Sequence, residues 1–228
     1  MRFPTVCYDG FYKDPEKVVD FALSLDYYST EGRYPGCRTK CLSTIDRNFA
    51  HESLNKLLSM FDDFDEPNLI IDAETAFHKT YRFSKDYSSP ANDGWIHKDG
   101  SVLAAVVYLS KNPDSSSGTS IFKKRLGETL PPLPDVSVDV LGDKRAVDVN
   151  SLKEYERSIV ENNKPYDLQL EVKNAYNRII IYDGQLDHAP SNFWRDDEDF
   201  RLTQVFFIDD IHCSVNKIPS VRCNRYDW

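Results

Sequence analysis

The spacing of hydrophobic positions changes near residue 72. Before it, apolar side chains recur at helical intervals. Val18, Phe21, Ala22 and Leu25 form an i, i+3, i+4, i+7 stripe, Asp14 stands at an N-cap position, and Pro15 sits where a missing N–H costs nothing. A helix is therefore expected over about 15–25. Leu54, Leu57, Leu58 and Phe61 predict a second helix over about 49–61. The stretch 29–43 between them, with Tyr34-Pro35-Gly36, is rich in turn-formers.

After Asp72 the pattern becomes that of strands. Residues 73–84, 102–110, 118–122, 178–183 and 201–208 are short runs rich in β-branched and aromatic residues. Two of them, Val102-Leu-Ala-Ala-Val-Val-Tyr108-Leu109 and Val205-Phe-Phe-Ile208, are nearly continuous in apolar character, as expected of strands covered on both faces. Helices come first and strands follow without regular alternation. That order predicts an α+β fold with a mainly antiparallel sheet, such as a jelly roll, with the N-terminal helices laid on one sheet.

Residues 123–173 break the strand pattern with Pro131, Pro132, Pro134, charges of both signs and a helical stretch at about 151–162. They are expected to form an insertion between core strands, of the kind that covers a site or a partner surface and moves. The whole chain, 1–228, reads as one domain: a helical support over 1–72 and a jelly-roll core over 73–208 that carries the insertion.

Composition narrows the function classes. A net charge of −9 and a pI near 5.1 argue against a nucleic-acid backbone as partner, which needs a basic footprint. No apolar stretch has the length of a membrane span and the N-terminus lacks a signal-peptide pattern, so a cytoplasmic, non-membrane protein is expected. The five cysteines then read as reduced thiols.

Five histidines can be weighed singly. His51 reads as a surface residue, His78 as a packed or solvated ring in a strand, and His212 as a residue beyond the last strong strand. His97 differs, because Trp95-Ile-His97-Lys-Asp99 puts an imidazole and a carboxylate two residues apart, on one face of an extended segment. His188 follows the strand at 178–183. Two histidines and one carboxylate on one face of an octahedron leave positions open, which suits Fe(II) that must bind an oxidant and a co-substrate together. Arg201 heads the apolar strand Arg201-Leu-Thr-Gln-Val-Phe-Phe207, and Thr203 shares its face. A buried arginine beside a hydroxyl is a natural grip for a carboxylate; a surface ion pair with the acidic run Asp196–Asp199 is the other reading.

With these residues in order, the chain resembles the 2-oxoglutarate/Fe(II)-dependent oxygenase superfamily, and within it the prolyl-4-hydroxylase-like branch. Arg82-Phe83 precedes the H-x-D of His97 and Asp99; Tyr108-Leu109, the glycine-led Gly118-Thr-Ser-Ile-Phe122, Asp183-Gly-Gln-Leu-Asp-His188 and the R-x-T of Arg201 and Thr203 follow. The N-terminal half, with Tyr34-Pro-Gly-Cys-Arg38, is similar to bacterial and phage members. The resemblance implies a double-stranded β-helix with His97, Asp99 and His188 as metal ligands and as catalytic residues. It also implies that Arg201, Tyr108 and Thr203 hold the co-substrate. Fe(II), 2-oxoglutarate and O2 would be the cofactors, and hydroxylation of a C–H bond on a peptide, a protein side chain or a small molecule the reaction. Asp99 favours hydroxylation over halogenation, which needs its coordination position for a halide. The chain departs from the pattern in carrying Phe83 where many relatives have tyrosine, and in the 13 residues from His188 to Arg201. The rival classes are a zinc hydrolase on the same ligands, for which no H-E-x-x-H helix is present, and a non-catalytic metal-binding jelly-roll module serving binding or structure.

Overall fold

The computed structural model describes residues 3–29, 36–61, 70–84, 86–114, 116–128, 149–193 and 200–212. Its framework is a seven-stranded antiparallel sheet facing a three-stranded one. The larger sheet contains β1 (Val6–Asp9), β2 (Tyr28–Ser29), β3 (Gly36–Arg38), β4 (Ile70–Thr80), β5 (Leu103–Tyr108), β8 (Arg178–Asp183) and β10 (Arg201–His212), in the order β1-β8-β5-β10-β4-β3-β2. The smaller contains β6 (Thr119–Lys124), β7 (Tyr166–Val172) and β9 (Asp187–Pro190), in the order β7-β6-β9. This is the expected jelly-roll core.

Alternation along the strands divides the interior in two. On β8, Ile179 and Ile181 face the helices while Ile180 and Tyr182 face the smaller sheet. On β10, Leu202, Phe206 and Ile208 join the helix-side core, and Thr203, Val205 and Phe207 point into the space between the sheets. The apolar runs of β5 and β10 therefore have two faces to fill. Helices α1 (Pro15–Leu23) and α3 (Arg47–Leu58) cover the outer face with Val18, Ala22, Leu57 and Leu58, as their periodicity predicts, and with Val19 beside that stripe. Asp14 accepts a bond from the Lys17 amide at the start of α1, and Asp46 one from Phe49 at the start of α3. A short helix, α2 (Leu42–Ile45), precedes α3.

Several boundaries differ from expectation. The turn-rich stretch 29–43 contains β3, which adds to the edge of β4. The strand expected over 73–84 starts earlier and stops at Thr80, because the amides of Phe83 and Ser84 turn away to bond Asn92 Oδ1. His212 is the last residue of β10, which continues past a bulge after Ile208.

The stretch 123–173 is not one mobile loop. Tyr166–Val172 is strand β7, paired with β6, so the last part of that stretch belongs to the core. Helix α4 (Val149–Asn163) is docked, with Tyr155 and Ile159 buried beside Ala91, Phe83 and Trp95. The three prolines lie outside the described residues. No helix among the described residues is long and apolar enough to cross a membrane.

Candidate functional site

His97 and His188 come together through backbone pairing. His97 N–H donates to His188 O at 3.0 Å, and His188 N–H donates to His97 O at 2.9 Å. Residues that exchange both bonds in an antiparallel pair project their side chains to the same face, and here the two imidazole centroids are 4.5 Å apart. The H-x-D segment thus lies against the free edge of β9 as a single bridge, rather than as the extended strand that the sequence suggests. Two residues on, Asp99 N–H bonds Gly184 O at 2.9 Å, which keeps the carboxylate beside the rings.

Two glycines make this seam possible. A Cβ on Gly94 would stand 2.2 Å from Pro190 O, and one on Gly184 would stand 2.2 Å from Ser101 O. No side chain fits at either position without separating the segments that carry the three residues.

The far end of the seam is held by α4. Asn163 Oδ1 accepts from Ile96 N–H at 3.0 Å, its Nδ2 donates to Gly94 O at 2.9 Å, and Asn162 Nδ2 donates to Ile96 O at 3.1 Å. These bonds satisfy backbone groups flanking Trp95, next to His97. Nothing in the local pattern of 123–173 signals this role. Asn163→Ala should strip a partly buried N–H and a carbonyl of their partners, costing about 1–3 kcal/mol of stability. It should also weaken divalent-metal binding without removing a ligand. Denaturant unfolding and calorimetric metal titration of the variant check both effects; unchanged values would show that α4 does not hold the segment.

The three side chains converge. His97 Nε2 is 3.6 Å from Asp99 Oδ1, His188 Nε2 is 3.2 Å from Asp99 Oδ2, and all three ligand atoms lie within 4.8 Å of one another. Each Nδ1 is already engaged, with Trp95 O at 2.7 Å for His97 and with Leu186 O at 2.8 Å for His188. An Nδ1–H donated to a carbonyl leaves the Nε2 lone pair of each ring aimed at the carboxylate. Asp99 Oδ2 is buried and makes no aligned hydrogen bond. Lone pairs so opposed need protons or a cation between them. Donors about 3 Å apart match adjacent ligands at metal–ligand distances of about 2.1 Å, so the donor set fits a divalent ion.

The electrostatics agree. Burial would raise the Asp99 pKa, yet His188 and His97 hold it well below the usual carboxylate range. For His97, burial would lower the pKa, but Asp99 and the Trp95 carbonyl outweigh it and the net shift is upward.

The three residues open onto a cavity of about 490 Å³ between the sheets, a size that suits a small ligand. Arg201 and Thr203 line it from β10, and His78 and Thr80 from β4. Arg201 is 5% exposed; its guanidinium donates to Ser117 O and Gly118 O and its Cζ lies 5.7 Å from the centre of the Phe193 ring. It is a buried cavity residue, while the acidic run Asp196–Asp199 falls outside the described residues. Tyr108 is fully buried just behind the wall, and its hydroxyl donates to Thr119 Oγ1 at 2.7 Å. Thr119, not Tyr108, lines the cavity here. Burial pushes the Tyr108 pKa up to about 12, so it remains a donor.

His78 is a packed ring, as expected, but it faces the cavity. Burial, then Arg38 and Arg201, lower its pKa to about 3, so it is neutral near pH 7. Arg38 lines the same space, a residue placed by the sequence in a turn-rich stretch and in the Tyr34–Arg38 motif but given no role in the site. Phe83, at the position where many resembling sequences have tyrosine, packs on Tyr155 with ring centres 4.7 Å apart, away from this wall.

Among family models, one described as "Family of unknown function (DUF6445)" matches residues 2–208. The chain belongs to this family. No curated protein matches the sequence at a significant level. Among solved structures, the fold of this DUF6445 member is similar to HygX from Streptomyces hygroscopicus. With nickel, 2-oxoglutarate and hygromycin B bound, HygX matches with a TM-score of 0.52 and 16% identity, over 89% of this chain and 81% of that one. With nickel and 2-oxoglutarate bound it matches with a TM-score of 0.51 and 15% identity over the same shares. An oxidoreductase of the 2OG-Fe(II) oxygenase family from Burkholderia pseudomallei matches over 90% of this chain and 83% of that one, with 10% identity and a TM-score of 0.45. The likeness to HygX shows the fold: this DUF6445 chain shares the jelly-roll core of HygX.

Proposed function

We propose that the chain is a non-haem Fe(II) dioxygenase that couples oxidative decarboxylation of 2-oxoglutarate to hydroxylation of a substrate C–H bond. The observation that carries this reading is the convergence of His97, Asp99 and His188 on one wall of a cavity whose other wall holds a buried arginine. The three would hold the iron, and the vacant side of such a facial triad takes an oxidant and a chelating co-substrate. HygX, on the same fold, has been crystallised with iron, and with nickel and 2-oxoglutarate. Arg201 would bind the far carboxylate of 2-oxoglutarate, with Thr203 on the same face; Tyr108 would act through Thr119.

Bound iron, 2-oxoglutarate and dioxygen together supply the oxidising chemistry. The chain's own residues bind, orient and shield. Trp95, Val106, Pro190, Phe193, Val205 and Phe207 give the cavity mainly apolar walls that limit water near the reacting atoms. The substrate is a peptide side chain or a small molecule able to present a C–H bond there. Asp99 occupies the position that a halide would need, which favours hydroxylation.

The test is formation of succinate from 2-oxoglutarate by the metal-loaded protein. Succinate should appear only with Fe(II) and dioxygen, and should vanish in Asp99→Ala. Metal binding with no affinity for 2-oxoglutarate would remove the oxygenase reading and leave a metal-binding jelly-roll module.

Metal affinity should also depend on pH in a definite sense. A metal takes the Nε2 lone pair that a proton would occupy. Because the His97 pKa is raised, its proton competes from above the ordinary histidine value of about 6.5 downward. Apparent affinity for Mn(II) should therefore be full at alkaline pH and fall as pH drops through that value. A flat profile between about pH 8 and pH 6 would contradict ligation through His97.

A further inference from the structure

We infer that Arg38 forms a second anion subsite in the cavity, one that holds a carboxylate or phosphate group of the substrate. The inference rests on the dioxygenase reading and adds the chemical class of the substrate. Strand β3 places Arg38 opposite His78 on β4, and His78 stands opposite Thr203 on β10. Arg201 is two pairs further along, and so on the same face, opposite Thr80, which in turn faces Gly36. The two arginines thus approach one cavity from strands on opposite sides of β4, about 12 Å apart at Cα by strand spacing alone.

Their surroundings differ. Arg201 is buried and anchored to the carbonyls of Ser117 and Gly118. Arg38 is half-buried, and among the described residues its guanidinium makes no hydrogen bond or ion pair. An arginine partly removed from water without a partner is costly, and a ligand anion relieves that cost. His78, between the two, feels both charges and is itself neutral, so it cannot serve as the counter-ion.

Charge balance points the same way. Among the described residues that line the cavity, Asp99 is the one acid, and it faces the two imidazoles. The two charges of a divalent ion would be offset by the two carboxylates of 2-oxoglutarate, and Asp99 would offset one arginine. One positive charge remains, and Arg38 carries it beside the apolar walls. A substrate joining an oxyanion to an apolar body complements that arrangement.

The test uses the full chain loaded with Mn(II) and 2-oxoglutarate without oxygen, so that nothing turns over. Benzoate and phenyl phosphate serve as anionic probes, and benzamide and phenol as their neutral counterparts, at constant ionic strength. Relaxation of the probe protons by Mn(II) reports binding near the metal, and the two anions separate a carboxylate site from a phosphate site. At least one anion should bind more tightly than its neutral partner. Arg38→Ala and Arg38→Gln should each weaken that anion by about tenfold or more, with 2-oxoglutarate affinity unchanged, and Arg38→Lys should retain most of it. Anions that bind no better than neutral probes, or equally well to Arg38→Gln, would overturn the subsite and leave the dioxygenase reading intact. Loss of 2-oxoglutarate affinity in both Arg38→Ala and Arg38→Gln would overturn it too, making Arg38 the co-substrate's own clamp. Failure of the wild type to bind 2-oxoglutarate would overturn the underlying reading, and the inference with it.

Discussion

Asp99→Ala is expected to reduce divalent-metal affinity by at least about 100-fold and to abolish 2-oxoglutarate turnover. Loss of a partner that merely orients a ligand already costs 10–100-fold, and Asp99 would itself be a ligand and is the only anion among the three. Its removal also leaves two Nε2 atoms with no charge between them. His97→Ala and His188→Ala should have effects of the same order on binding, but they should differ in stability. The His97 side chain is 44% exposed, whereas that of His188 is 4% exposed and packs against Tyr182 with ring centres 4.6 Å apart. His188→Ala opens a cavity and should unfold at lower denaturant; His97→Ala and Asp99→Ala should stay closer to the wild type. Calorimetric titration with Co(II) or Ni(II), paired with unfolding curves, separates loss of a ligand from loss of the fold. Wild-type metal affinity in folded His188→Ala would sink the assignment.

Arg201→Ala should weaken 2-oxoglutarate binding by roughly 10- to 150-fold, since charge-assisted hydrogen bonds contribute about 1.5–3 kcal/mol and each 1.4 kcal/mol is a factor of ten. Iron affinity should hardly move, because the guanidinium is not a ligand. Arg201→Lys should be intermediate, keeping the charge and losing the planar fork. The bonds from Arg201 to Ser117 O and Gly118 O add a second expectation. The alanine variant should also lose stability, by about 1–3 kcal/mol, because two carbonyls in the buried wall lose a donor. Affinity must therefore be measured on protein shown to be folded. Anaerobic titration of 2-oxoglutarate into iron-loaded wild type and variant decides the matter: equal affinities would remove Arg201 from the site.

Local pattern was enough for part of this molecule. The stripes of α1 and α3, the Asp14 cap and the two-faced apolar runs of β5 and β10 follow from spacing over a few residues, because helix and strand periodicity are local properties. The proximity of His97 to Asp99 also follows from their separation by two, although the segment forms a single bridge and the bond from the Asp99 amide to Gly184 O sets the carboxylate beside the rings. Other features depend on which distant segments become neighbours. Gly94 and Gly184 matter only because Pro190 and Ser101 pack where their side chains would be, and β7 is a strand because β6 lies beside it, despite a mostly exposed sequence. The replacement of Tyr108 by Thr119 at the wall is decided by a hydrogen bond between β5 and β6. Arg38 reaches the cavity through the register of a three-residue strand between β4 and β2, too short to carry a period of its own. Register and contact across the sheets are long-range, set by what packs best over the whole core, and no window of neighbouring residues contains them.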